Sequence, residues 1–258
     1  MKSILFSIEN NVAKITLNRP KVYNSINREM ALALQEHLDE AATNDEIRAV
    51  YLTATGKAFC AGQDLAEVIA PDAPPLSKIV KEHYNPIILK IRQLEKPVVC
   101  AVNGVAAGAG ANLAMACDIT MAKESATFIQ AFSKIGLIPD SAGTFFLPRI
   151  IGLQKAAALQ MLGDKVSAKD AEAMGMIYKA VPNETFEEET LKIANRLAKM
   201  PTKGLGLTKR LLNQTYSNTL EEQLVQEGIC QMTASETADY KEGVSAFLEK
   251  RKPTFTGK

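Results

Sequence analysis

Apolar and polar residues alternate in two short runs at the start of the chain, Ile4 to Ile8 and Val12 to Leu17. Alternation of this kind places one face of a β-strand in a core and the other towards solvent. The two asparagines between the runs, Asn10 and Asn11, tolerate the left-handed backbone that a tight connection needs. The pattern predicts a β-hairpin that opens a sheet.

The next segment has the period of a helix. Apolar side chains recur every three or four residues from Ile26 to Ala41, and glutamates, a glutamine and an aspartate occupy the opposite face. Asn24 and Ser25 precede this run, and both are residue types that cap helix N-termini. We predict an amphipathic helix with one of these two residues as its N-cap.

Three continuous apolar runs in the middle of the chain have the length of buried strands, and they lie at 49–52, 98–102 and 119–122. Helix-like stretches separate them, as in a sheet built with crossover connections, so the fold class is predicted to be α/β. From Leu153 onward the pattern is mainly helical. Residues 201–258 hold three predicted helices, too few for an independent core, so they are expected to pack on the preceding region or on another subunit.

Composition and charge exclude several classes of function. The 258 residues carry 30 basic and 29 acidic side chains, a net charge of +1, so no global field favours nucleic acid or an anionic membrane. No apolar run approaches the roughly 18 residues of a membrane span, and no secretory leader precedes the first strand, so a cytoplasmic protein is expected. The four cysteines lack both a paired spacing and a neighbouring histidine, and neither a metal site nor a disulfide framework is predicted.

A glycine- and alanine-rich segment at 103–110 connects a predicted buried strand to an apolar helix. The first amides of a helix have no partner within it and lie at the positive end of its dipole, so they can bind a developing oxyanion. Small residues at such a turn serve equally well to bring a helix close to a sheet. The glycine spacing matches neither a phosphate-binding loop nor a dinucleotide fingerprint.

Four short motifs occur in order and raise the specificity of this pattern. They are Phe-Cys-Ala-Gly-Gln-Asp-Leu at 59–65, Val-Asn-Gly at 102–104 with its small-residue run, Ala-Cys-Asp-Ile at 116–119 and Gly-Leu-Ile-Pro at 136–139. With these motifs the chain resembles the crotonase family, the enoyl-CoA hydratases and isomerases. The likeness covers essentially the whole sequence.

The resemblance implies an α/β fold with a crotonase-like ββα spiral core at residues 1–200 and a helical C-terminal trimerisation region at 201–258. It also implies a homotrimer or dimer of trimers that acts on an acyl-CoA thioester, with no cofactor because coenzyme A is part of the substrate. By position, the backbone amides of Gln63 and Ala109 would hold the thioester carbonyl. The residues matching the family's binding region for the CoA moiety are Asn24, Ser25, Ile26, Ala61, Asp64 and Leu65.

The acid–base positions depart from the hydratase pattern. Hydratases of the family use two glutamates, and the matching positions here are Asn112 and Phe132. Asparagine is no base, and Phe132 would form an apolar wall of the substrate site, so efficient hydration is disfavoured. Asp140 instead resembles the single acid of the aspartate-dependent isomerases, including those that act on ring 1,2-epoxyphenylacetyl-CoA and those that shift a 3-enoyl double bond to the 2-position. Without the resemblance, we would interpret Asp140 as a helix N-cap.

Alternatives remain open at this point. A dehalogenase-like reaction uses an aspartate at the same position but calls on a tryptophan that this sequence lacks. A hydratase-like enzyme with weak hydration activity, or a non-catalytic acyl-CoA-binding protein, would keep both amide donors. We expect Asp118 to have a structural role and His37 and His83 to be surface residues. Tyr84 is an outside candidate for shaping the acyl pocket.

Overall fold

A computed structural model describes residues 2–258. The chain forms two sheets, one of six strands and one of four. The strands are β1 (Ile4–Glu9), β2 (Val12–Leu17), β3 (Ala49–Ala54), β4 (Ala58–Cys60), β5 (Val98–Val102), β6 (Val105–Ala107), β7 (Ile119–Lys123), β8 (Thr127–Ile129), β9 (Lys165–Ser167) and β10 (Lys179–Val181).

The predicted hairpin is confirmed and forms one edge of the six-stranded sheet. β1 and β2 are antiparallel, with Ile4 opposite Leu17, and both Asn10 and Asn11 have positive φ, 52° and 62°. The sheet continues β2-β3-β5-β7-β10, and all of these neighbours are parallel. The three buried strands predicted from the apolar runs are therefore its centre.

The smaller sheet has the order β4-β6-β8-β9, and its strands have only three residues each. Each of β3, β5 and β7 leads directly into a strand of this second sheet, so the chain repeats a strand in each sheet and then a helical segment. This is the ββα spiral that the resemblance implies. The sequence analysis missed these strands because three residues are too few to show a periodicity.

Helices fill the connections and the C-terminal third. They are α1 (Arg28–Thr43), α2 (Leu65–Val68), α3 (Leu76–Ile79), α4 (Asn85–Gln93), α5 (Ala109–Ala116), α6 (Gly143–Ile151), α7 (Leu153–Leu162), α8 (Ala168–Ala173), α9 (Phe186–Leu197), α10 (Thr202–Gln214), α11 (Leu220–Ser235) and α12 (Ala238–Leu248). One π-helical turn, Val80–Tyr84, joins α3 to α4. None of the helices in the described range has the length and apolar character that crossing a bilayer requires.

The start of α1 differs from the prediction. Its N-cap is Asn27, whose side chain accepts a hydrogen bond from the amide of Met30, so neither Asn24 nor Ser25 caps the helix. Asn24 has a positive φ of 56° and lies in the preceding turn. The predicted apolar face of α1 is correct, since Met30, Leu34, Leu38 and Ala41 are buried.

The central strands of the large sheet, β3, β5 and β7, are buried on both faces, which explains their continuous apolar sequences. One face joins the main core with the helices and the small sheet, and the other packs under α9. The four cysteines are buried and free.

A buried ion cluster attaches α10 to this core. The carboxylate of Asp118 pairs with Lys209 at 2.7 Å and Arg92 at 3.1 Å and accepts a hydrogen bond from the amide of Val98 at 2.8 Å. The Lys209 side chain is only 7% exposed. Burial lowers the pKa of Lys209, and Asp118 opposes this shift. The structural role predicted for Asp118 is confirmed.

We expect Asp118→Ala to lower the free energy of unfolding by about 3–5 kcal/mol, because it leaves Lys209 buried without its counter-ion. Glu187→Ala is the matched control, since Glu187 pairs with Lys14 but its side chain is 72% exposed. That change should cost about 1 kcal/mol or less. Urea unfolding at one fixed protein concentration measures both, and equal losses would contradict the assignment.

Candidate active site

The amide of Gln63 is directed away from its own sheet contacts. Ile26 and Gln63 form an isolated parallel bridge beyond β4, in which the amide of Ile26 donates to Gly62 O at 2.7 Å and the amide of Asp64 donates to Ile26 O at 2.9 Å. Both bonds go to the residues flanking Gln63. Its own N–H therefore faces the opposite side, where it has no hydrogen-bond partner within residues 2–258.

The amide of Ala109 is the first of helix α5, so it has no partner inside the helix. Gly108 precedes it with φ of 53°, a conformation that L-residues with side chains rarely adopt. A Cβ on Gly110 would overlap the carbonyl oxygen of Cys60, and a Cβ on Gly62 would lie 3.5 Å from the nitrogen of Ala109. The end of β4 and the start of α5 are thus in backbone contact, which places the amide of Ala109 beside Gly62, the residue before Gln63.

The loop 24–26 and the segment 61–65 lie side by side, as the resemblance implies. The amide of Ala61 donates to Tyr23 O at 3.0 Å, and the bridge at Ile26 continues this contact. The Asn24 side chain is fully buried and bonds to the backbone at 19, 55 and 58, so it holds the loop in place. Ser25 and Ile26 are also buried.

In the segment 61–65, Asp64 makes structural contacts, whereas other residues are exposed to solvent. Asp64 pairs with Arg19 at 2.8 Å. Its carboxylate also accepts a hydrogen bond from the amide of Ala66, and this bond caps the N-terminus of α2. Ala61 and Leu65 are exposed. Asn24 and Asp64 therefore shape this region, and the backbone with Ala61 and Leu65 remains accessible to a ligand.

Asp140 lines an apolar cavity of about 590 Å³, and among the described residues that line this cavity it is the one carboxylate. The other lining residues are Leu76, Ser77, Val80, Lys81, Asn85, Leu137, Ile138 and Pro139. The Asp140 carboxylate accepts a hydrogen bond from the hydroxyl of Ser141 at 2.9 Å. Burial raises its pKa, and the bond from Ser141 opposes this shift. A carboxyl in such surroundings is a stronger base than an exposed aspartate.

The alternative role of Asp140 as a helix cap does not fit the geometry. Helix α6 begins at Gly143, and its N-cap is Ala142, which has φ of 60° and makes no side-chain cap hydrogen bond. Only the main-chain carbonyl of Asp140 bonds to the helix start, at 2.9 Å from the amide of Gly143. The carboxylate itself remains available at the cavity.

The two positions that match the hydratase glutamates lie close to these groups. Phe132 is buried, and its ring lies 3.6 Å from the point where a Cβ on Gly108 would stand, beside the amide of Ala109. Asn112 is fully buried on α5, and its amide nitrogen donates to the carbonyl oxygen of Asp140 at 2.8 Å. An aromatic ring and a neutral amide replace the two acids. Phe145, in contrast, is 47% exposed and its ring lies against the guanidinium of Arg149.

His83 is fully buried, so the prediction of a surface position was wrong. It lies in the π-helical turn, where its Nε2 is 3.3 Å from the guanidinium of Arg28 and burial lowers its pKa. His37 is partly buried and stacks on Phe6, with ring centroids 4.3 Å apart. Side chains of α1 and β1 cover these two rings, which the helical period alone did not indicate.

Tyr84 is buried at the end of the π-helical turn, and its hydroxyl donates to the side-chain oxygen of Gln63 at 2.7 Å. Gln63 in turn donates to Glu67 at 2.9 Å. Tyr84 therefore supports a residue of the amide pair, and it is absent from the residues that line the cavity. The cavity wall at 76–85 directly follows a proline-rich stretch at 70–75, which is its signal in the sequence.

The comparisons with known proteins identify the family of the chain. The family model for enoyl-CoA hydratase/isomerase matches residues 7–258. The chain belongs to this family, the crotonase family. It is 48% identical over 262 residues to the 1,2-epoxyphenylacetyl-CoA isomerase of Escherichia coli K12, with 100% of both chains covered. It is 37% identical to the trans-2-decenoyl-[acyl-carrier-protein] isomerase of Streptococcus mutans, with 100% of this chain and 99% of the relative covered.

A solved structure extends the likeness to a protein named for hydration. The crystal structure of an enoyl-CoA hydratase from Bacillus anthracis superposes on this crotonase-family chain with a TM-score of 0.95 at 32% identity. The match covers 99% of this chain and 100% of the other. The family therefore includes both isomerases and hydratases of the same fold, and the acid–base residues must distinguish them.

The raised pKa of Asp140 predicts a gain of stability on neutralisation. A carboxyl whose pKa is higher in the folded state favours folding at low pH, and this contribution is lost as the pH rises through the folded pKa. At pH 7 we therefore expect Asp140→Asn to unfold at a higher temperature than the wild type. The difference should vanish as the pH falls towards about 4, near the pKa of an unfolded aspartate.

Thermal unfolding at several pH values and one protein concentration checks this sign. Asp64→Asn is the matched control, because it weakens the ion pair with Arg19 and should lower the melting temperature at pH 7. A lower melting temperature for Asp140→Asn at pH 7 would show that the carboxylate stabilises the fold, as a structural aspartate does.

Proposed function

We propose that this chain is an acyl-CoA isomerase that converts a 3-enoyl thioester into the 2-enoyl thioester with Asp140 as its acid and base. The proposal is supported chiefly by one observation: Asp140 is the carboxylate at the apolar cavity, while Asn112 and Phe132 occupy the positions of the hydratase glutamates. Burial raises the pKa of Asp140, which makes its carboxylate a stronger base than an exposed aspartate.

In the proposed reaction, Asp140 removes a proton from C2 of the bound 3-enoyl thioester. The electrons of the broken C–H bond form a C1–C2 double bond, and the thioester oxygen takes the negative charge of the dienolate. The amides of Gln63 and Ala109 hydrogen-bond to this oxygen, and each such donor contributes about 3–4 kcal/mol to the transition state. The carboxyl of Asp140 then returns the proton at C4, which leaves the double bond between C2 and C3.

This step moves one proton and one electron pair within the substrate, so the proposal calls for no cofactor beyond the coenzyme A that the substrate carries. Phe132 excludes water from the dienolate, since its ring lies beside the start of α5. The loop 24–26, with Ala61, Asp64 and Leu65, contributes the CoA-binding surface. Neutral Asn112 lacks the basicity to activate water, which separates this proposal from a hydratase.

A second candidate reaction is the conversion of ring 1,2-epoxyphenylacetyl-CoA to its oxepin isomer. It is favoured by the 48% identity to an isomerase named for that substrate. The same amide pair would hold the thioester carbonyl, and Asp140 would be the nearest acid to the ring. A survey with trans-2-enoyl, cis-3-enoyl, trans-3-enoyl and ring-epoxide thioesters separates the two reactions, and hydration faster than isomerisation would contradict both.

Asp140→Asn tests the acid–base role directly. We expect the substitution to lower kcat for 3-enoyl isomerisation by about 10²–10⁴-fold while thioester binding is retained, because the amide pair is unchanged. Asp164→Asn, an exposed change after α7, is the control and should keep wild-type kcat. Isomerisation in the Asp140→Asn variant within tenfold of the wild type would exclude Asp140 as the base.

We also propose that the C-terminal region, 201–258, assembles the chain into a homotrimer or a dimer of trimers. The proposal is supported by large apolar side chains on α11 and α12 that are more than half exposed in the isolated chain. They are Leu220, Leu224, Val225, Ile229, Met232, Tyr240, Phe247 and Leu248. So many exposed large apolar side chains on two successive helices are rarely left in contact with water.

Light scattering coupled to gel filtration should therefore give three or six times the chain mass of 28.0 kDa at micromolar concentration. Val225→Asp on the exposed face of α11 should shift the distribution towards smaller species, because it buries a charge in the contact. Glu221→Lys in the first turn of the same helix is the control for charge change alone. A wild-type monomer would contradict the proposal.

A further inference from the structure

The turn that carries Asp140 has an unfavourable backbone. Its carbonyl oxygen accepts a hydrogen bond from the amide of Gly143 at 2.9 Å, which closes a four-residue turn. The two central residues, Ser141 and Ala142, both have left-handed conformations, with φ of 49° and 60°. The left-handed region is sterically unfavourable for a residue that has a side chain. Such a turn persists only where its surroundings hold it.

Asn112 supplies this support from the neighbouring helix α5. Its Nδ2 donates to the carbonyl oxygen of Asp140 at 2.8 Å, and its Oδ1 accepts from Nε2 of Gln130 at 2.8 Å. Asn112 is fully buried and Gln130 is 3% exposed. The three residues thus form a buried chain from the end of β8, through α5, to the Asp140 turn.

The contact with the turn leaves no room for rearrangement. A Cβ on Gly143 would overlap the side-chain amide of Asn112, so the turn and the amide are packed together without a gap. The carboxylate of Asp140 accepts hydrogen bonds from the Ser141 hydroxyl and from its own backbone amide, so both of these donors belong to the turn. Its position in the cavity is therefore set by its backbone, and Asn112 is the side chain that holds that backbone.

We propose that Asn112 is a positioning residue that fixes the Asp140 carboxylate for proton transfer. This inference rests on the isomerase function proposed above. A glutamate at position 112, as in the hydratase pattern, has no N–H to donate to the carbonyl of Asp140 when it is ionised. The amide at 112 and the aspartate at 140 therefore act as one unit. The side-chain amide of Asn112 supports the turn, and the turn places the carboxylate of Asp140 at the cavity.

A pair of apolar substitutions separates positioning from simple stability. Asn112→Leu removes both hydrogen bonds with little change of shape and leaves the amide of Gln130 buried and unpaired, so it should lower both stability and kcat. Adding Gln130→Leu removes that unpaired donor and a side-chain oxygen that has no partner within residues 2–258. Replacing both partners by apolar groups of similar shape is nearly neutral for stability.

We expect the double variant Asn112→Leu/Gln130→Leu to regain most of the melting temperature lost by Asn112→Leu, but not its kcat. Misplacing a catalytic group lowers the rate about 10²-fold. The kcat of the double variant should therefore stay about 10²-fold below the wild-type value, while its KM stays within about twofold of the wild-type KM. Recovery of kcat together with the melting temperature would overturn the proposal, and so would a loss carried by KM alone.

Thr190→Val is the control for a lost buried hydrogen bond. Thr190 is fully buried and bonds to Tyr51 at 2.8 Å, remote from the Asp140 turn in the contact under α9. The Thr190→Val variant should have a lower melting temperature than the wild type, and it should keep the wild-type kcat at a temperature where it is folded. If Thr190→Val lowered kcat as much as Asn112→Leu does, the loss of kcat would follow from lower stability in general, and the proposal would be overturned.

Hydrogen exchange of residues 136–147 provides a measurement that does not depend on turnover. The Gly143 amide should exchange faster in Asn112→Leu and in the double variant, and at the wild-type rate in Asp140→Asn. Unchanged exchange in the Asn112 variants would overturn the positioning role. If the wild type fails to isomerise any of the thioesters, the proposed function fails, while the exchange experiment still decides whether Asn112 holds the turn.

Discussion

The backbone contact between the end of β4 and the start of α5 is the constraint on which the site depends. Two chain segments approach closely there because Gly62 and Gly110 have no side chains, and a Cβ at Gly110 would overlap Cys60. The contact leaves the amides of Gln63 and Ala109 without partners in the described chain. Free amides at a helix N-terminus are costly to leave unpaired and are well suited to a developing negative charge.

The remaining parts of the site lie around this contact. The central strands of the six-stranded sheet, buried on both faces, hold the segments that precede β4 and α5 in a fixed relation. The bridge between Ile26 and Gln63 then attaches the 24–26 loop to the amide pair. Tyr84, at the end of the π-helical turn, donates a hydrogen bond to the side chain of Gln63. Because Val80 and Lys81 of the same turn line the cavity, this bond links the cavity wall to the amide pair.

The features that suit Asp140 to its proposed role as a base lower the stability of the fold. The carboxyl is held in an apolar cavity where burial raises its pKa, and two left-handed residues hold its turn. Both features cost stability, and the surrounding structure must compensate for them. Asn112 and Gln130 provide part of that compensation with hydrogen bonds that would be unnecessary if Asp140 were a surface residue.

The sequence by itself determined the hairpin, the parallel strands, the amphipathic helices and the family, because these rest on periodicity and on motifs of adjacent residues. It also indicated the segments of the amide pair and Asp140, since each lies in such a motif. Tertiary structure alone decided the three-residue strands of the second sheet, the burial of His83 and the cap of α1 at Asn27. The hydrogen bond from Asn112 to the carbonyl of Asp140 joins residues 28 positions apart. No local pattern encodes such a contact, because it exists only after the sheets bring α5 against the turn.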